Sequence, residues 1–108
     1  MSAEIQKIEQ DGKVSVIYSP GFGAGWSTWA DANQRATLCM DARITKHVIA
    51  GDNEAAAAAA LEIFPDLYTG GARDLSVVWV DKGALFEITE YDGNEAVNLI
   101  AEQEYLTA

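Results

Sequence analysis

The stretch best equipped for binding chemistry is Tyr18-Ser19-Pro20-Gly21-Phe22-Gly23-Ala24-Gly25-Trp26-Ser27-Thr28-Trp29. Glycine at every second position lets a backbone turn sharply and present several N–H groups together. Amides at Gly23 and Gly25, with the hydroxyls of Ser27 and Thr28, can hold an anion ahead of a helix N-terminus. Phe22, Trp26 or Trp29 offers a flat face on which a base can stack. The candidate ligand-binding residues are therefore Phe22, Gly23, Gly25, Trp26, Ser27 and Thr28 in loop 20–29. The ligand would be nucleotide-like, with Arg35 or Arg43 neutralising its phosphate. The same glycines also suit a tight structural crossover in which Trp29 fills the core. No dinucleotide fingerprint or P-loop is present, because the further glycine spacing and a Gly-Lys-Ser/Thr run are both missing.

A second constellation is acidic: Glu87, Glu90, Asp92 and Glu95 gather around Tyr91-Asp92-Gly93. Carboxylates can bind a divalent cation, but the EF-hand spacing is absent. They can form a docking face for arginines of a protein partner, which makes these four the candidate partner-binding residues. They can also simply charge a strand edge against unwanted pairing. The wider balance points the same way. Residues 1–51 carry five basic and five acidic side chains, whereas residues 52–108 carry two and twelve, which places the entire net charge of −10 in the second half. Such a surface repels phosphate backbones and anionic lipid, so direct nucleic-acid and membrane binding are not expected. It attracts a basic protein, and it also keeps the chain in solution.

No catalytic set can be assembled. His47 is the lone histidine and has no orienting partner in sequence. Cys39, the lone cysteine, reads as a small buried apolar residue. Together they are too few for a metal site, and no cofactor is expected. Cysteine usage and the lack of a signal-like start predict a cytoplasmic protein.

The elements that must position these residues read as one α+β domain over 1–108. Ile5–Gln10 and Lys13–Ser19 flank Asp11-Gly12, a strong hairpin signal. A helix near Trp29 would bury Trp29, Ala32, Ala36 and Leu38. Asp41 would cap a helix over 42–50 that buries Ile44 and Val48. Asp52 or Asn53 would start another, rich in alanine, that ends at Pro65. Leu75–Val80, apolar on both faces, reads as a central strand. Leu85–Tyr91 alternates, with Phe86 and Ile88 inward. Residues 95–100 fit either a strand or a short helix. The expected architecture is a mostly antiparallel sheet of four to five strands with two to three helices packed on one face.

The motifs Tyr18–Trp29 and Phe86-Glu-Ile-Thr-Glu-Tyr-Asp-Gly-Asn-Glu95 resemble a family of small, mostly uncharacterised proteins of tailed phages and prophages. The resemblance spans nearly the whole chain and transfers no catalytic residue. It implies expression inside a bacterial host cell and an accessory role. The resulting expectation is a non-catalytic accessory protein that binds a host or phage protein through its acidic surface, blocking a nucleic-acid-binding face. The alternative is a nucleotide-like ligand held by loop 20–29. A homo-oligomer is compatible with a small domain that has aromatics to spare.

Overall fold

The computed structural model describes residues 5–21, 25–100 and 106–107. The chain is α+β, as its pattern of elements predicts. Its strands form two three-stranded antiparallel sheets rather than one, ordered β1-β2-β3 and β5-β4-β6. In the first, β1 (Glu9–Gln10) turns into β2 (Lys13–Tyr18), and β3 (Ser76–Asp81) pairs on the other side of β2. In the second, β4 (Leu85–Tyr91) lies between β5 (Asn94–Ile100) and β6 (Leu106–Thr107). Both two-residue hairpins use Asp-Gly with positive φ at each position, 53° and 78° at Asp11-Gly12 and 51° and 86° at Asp92-Gly93. That geometry matches the twist of the flanking strands. It also fixes residues 94–100 as a strand.

Asp81-Lys82-Gly83 is a turn, with Ala84 N–H donating to Asp81 O at 3.0 Å, but it carries the chain from one sheet to the other. Leu75–Val80 is therefore not central. Its apolar run reflects two covered faces: Val77 packs on one core cluster, and Val78 and Val80 belong to the other. The central strand is β2, whose Val14, Ser15, Val16 and Ile17 are all buried. One core joins Ile17 to the helices α1 (Arg35–Met40), α2 (Ala42–Ile49) and α3 (Asn53–Ile63) through Leu38, Ile44, Val48, Ala56 and Ala60. The alanines of α3 give it a thin side, which lets it lie close to its neighbours. The other core joins Val14 and Val16 to Cys39, Met40, Phe86 and Ile88.

The helix expected at Trp29 is instead two 3-10 turns, Ser27–Trp29 and Ala32–Gln34, that lead into α1. Neither Ser27 nor Thr28 caps a helix, because the Thr28 side chain is bonded elsewhere. Expected strand Ile5–Gln10 also shortens. Lys7 forms an isolated bridge with Asp41, and Ala42 N–H donates to Gln6 O at 2.6 Å, so this segment leaves the sheet for the α1–α2 junction.

Asp41 is the anchor of that junction. Its carboxylate accepts from Arg43 N at 2.9 Å, Arg43 Nε at 3.0 Å and Arg43 Nη2 at 2.8 Å. The Arg43 side-chain bond is the main cause holding the Asp41 carboxyl below its ordinary value of 3.8. A carboxyl depressed in the fold stabilises it fully above the unfolded value, and that contribution disappears as pH falls through the folded value. Asp41→Ala is expected to cost about 1–2 kcal/mol at pH 7, as measured by urea unfolding. The gap to the parent protein should narrow as the titration is carried below the ordinary aspartate range.

Candidate functional site

The glycine–aromatic loop and the acidic turn are two ends of a single structure. β5 carries Glu95 on the same face as Val97, opposite Glu90 in register. Alternation along β4 and β5 turns this face toward Phe86 and Ile88, so Glu95 points into the protein and is 1% exposed. There its carboxylate meets the loop. Ser19 N donates to Oε1 at 2.9 Å; Trp26 N, Thr28 N and Thr28 Oγ1 donate to Oε2 at 2.6, 3.0 and 2.6 Å. Glu95 N–H returns a bond to Ser19 O at 2.7 Å. The carboxylate accepts at both oxygens and so partners four donors, of which those of Ser19 and Trp26 are buried.

This arrangement is an anion site filled from within the chain. The amides that converge are those of Ser19, Trp26 and Thr28 rather than those of the glycines, and the anion they hold is the protein's own. Glu95 is accordingly not a surface docking residue. Sequence reasoning placed it with its acidic neighbours because residues 95–100 read ambiguously. Once they form a strand, parity puts Glu95 on the face of Val97, and the loop above that end of the strand buries it.

The two loop tryptophans also exchange the roles expected of them. Trp26 is 1% exposed, belongs to the helical core, and donates from Nε1 to Leu38 O at 2.7 Å. Its ring is not free to stack a base. Trp29 is 44% exposed. Ser27 is buried, its carbonyl accepting from Arg35 Nε at 3.2 Å, and Thr28 is committed to Glu95. Phe22 and Gly23 lie outside the described residues. Of the acidic set, Glu87 is half-buried, while Glu90 and Asp92 are exposed at the β4–β5 turn. Glu90 also accepts from Gly93 N at 2.7 Å.

Sequence reasoning missed a groove of about 460 Å³ beside the loop. Trp29 stacks on Tyr68 there, with ring centroids 5.9 Å apart and planes 22° apart. Tyr68 comes from the connector after α3 and is 57% exposed. Phe64 and Leu67 line the groove and also pack on the helical core, while Asp31 and Asp66 stand exposed at its edge. Two glycines make room for the aromatic pair. A Cβ at Gly25 would come within 2.7 Å of Trp29 Cδ1, and one at Gly70 would collide with the Tyr68 phenol. The missed signal was the aromatic Tyr68 beside Gly70-Gly71, some forty residues from Trp29 in sequence.

Among the described residues no group of three His, Cys, Asp or Glu is placed to hold a metal, and no helix is long and apolar enough to cross a membrane. The Cys39 thiol is buried, and that burial, with the negative charge of Glu95 added, pushes its pKa up to about 12. It is a packing residue rather than a nucleophile in the folded state. Comparison with family models, with curated proteins and with solved structures finds no match.

Removing the clamp should be severe. Glu95→Ala is expected to lower stability by about 3–5 kcal/mol in urea unfolding, since it strands buried donors. Glu95→Gln should fall between, because it keeps the shape but turns an amide NH2 toward donors. Cys39 reports on the same event. In the parent protein it should resist a disulfide-exchange reagent at pH 8, and in Glu95→Ala it should react at the rate of a thiol exposed by unfolding.

Proposed function

We propose that this chain is a non-catalytic accessory protein, of the kind found in tailed phages and prophages, that binds a basic host or phage protein through its acidic surface. The observation that supports this most is the contrast between the two acidic populations. Glu95 is a carboxylate used inside the fold, whereas Glu90 and Asp92, with half-buried Glu87, stand at the outer sheet and make no ion pair among the described residues. An uncompensated negative field of this kind steers a positively charged surface and selects against polyanions. The rival reading, a nucleotide-like ligand in loop 20–29, loses its main support because the Ser19, Trp26 and Thr28 amides already hold Glu95.

The test is capture from a bacterial lysate at low ionic strength, with identification of whatever is retained. Retained proteins should be basic, and they should elute as salt rises. Neutralising the outer sheet with Glu87→Gln and Asp92→Asn should weaken retention and flatten its salt dependence. Asparagine is chosen at position 92 because it tolerates the positive φ there. Retention that ignores both salt and these substitutions, or no retention at all, overturns the reading.

A further inference from the structure

The Trp29–Tyr68 groove combines three properties. Its aromatic pair is exposed and preset, each ring lying over a glycine that leaves it room. Phe64 and Leu67 give it an apolar lining. Asp31 and Asp66 make no ion pair or side-chain hydrogen bond among the described residues, and no lysine, arginine or histidine lines the space. Two carboxylates without a counter-charge repel phosphate and other anions. A neutral apolar ligand would leave both carboxylates unused.

We propose that this groove binds an arginine-bearing segment of the basic partner. The inference rests on the reading of the chain as a receptor for such a partner, and it adds to the outer-sheet carboxylates a second contact, taken by one arginine-bearing segment. A guanidinium is planar and weakly hydrated, so it stacks on an indole or phenol face while its N–H groups pair with carboxylates. The aliphatic stem of arginine covers apolar surface such as that of Phe64 and Leu67. Lysine meets the charge requirement but presents no flat face, so arginine is favoured over lysine.

The experiment titrates the full chain at low ionic strength with a short peptide of alternating glycine and arginine, followed by the Trp29 indole N–H resonance and by calorimetry. Matched peptides carry lysine, or citrulline, the neutral planar isostere of arginine. The arginine peptide should bind most tightly, lysine next, and citrulline weakest. Asp31→Asn with Asp66→Asn should weaken the arginine peptide about tenfold. Gly70→Ala, which displaces the Tyr68 ring and changes no charge, should weaken it about threefold to fivefold. Glu54→Gln with Asp74→Asn, a charge-matched pair outside the groove, should change it less than about twofold. Circular dichroism and the Trp26 indole resonance check that each variant is folded. Citrulline binding equal to arginine, or groove variants that bind like the parent, overturns the groove assignment. If binding is instead lost with Glu87→Gln and Asp92→Asn, the groove is wrong and the basic-partner reading stands. If no basic peptide binds at all, both fall.

Discussion

The two ends of the loop, at Ser19 and at Trp26–Thr28, depend on one buried carboxylate. Glu95 collects three backbone amides and a hydroxyl from a segment some seventy residues earlier in the chain. Loop amides that converge without a partner would be costly to bury. A carboxylate without donors would be costlier still. Each therefore makes the other tolerable, and together they fix the loop against the second sheet. The placing of Trp26 follows from this. Its backbone is held by Glu95 and its indole by Leu38 O, so its ring closes the helical core. Trp29, three residues on, is carried outward by the 3-10 turn.

The clamp also explains how so small a chain supports two cores. β2 is shared by both, with Val14 and Val16 facing the second sheet and Ile17 facing the helices. Such a strand has no solvent face, so its register is strongly specified. The second sheet needs another attachment, since β3 and β4 are joined by a turn but do not pair. The bond from Glu95 N–H to Ser19 O and the return bond from Ser19 N–H to the Glu95 carboxylate supply it just past the end of β2.

Charge is divided between these two purposes. One carboxylate is withdrawn to satisfy the loop, and Asp41 is withdrawn to cap α2 and hold Arg43. The other acids among the described residues are exposed, apart from half-buried Glu87. The groove under Trp29 and Tyr68 joins an apolar lining to two of them, Asp31 and Asp66. Its aromatic pair comes from segments linked only by folding.

Local patterns were legible wherever the chemistry was local. Asp11-Gly12 and Asp92-Gly93 announced hairpins because few dipeptides accept two successive positive φ values. Asp41 and Asp52 announced helix starts, and each side chain accepts from the amide of its first turn. Phe86 and Ile88 announced an inward face by simple alternation. The glycine spacing pointed to the amides of Gly23 and Gly25, whereas the amides that hold an anion are those of Ser19, Trp26 and Thr28. Which anion they hold was not legible. That choice depends on the fold bringing β5 beneath the loop, and it takes Glu95 away from the acidic surface. The same fold decides which tryptophan is core, and it stacks Trp29 on Tyr68 across a gap of about forty residues. Sequence alone specified the turns, the starts of α2 and α3 and a net charge of −10. Tertiary structure decided how those charges and aromatics were used, because burial and long-range pairing are properties of the packed chain and not of any window within it.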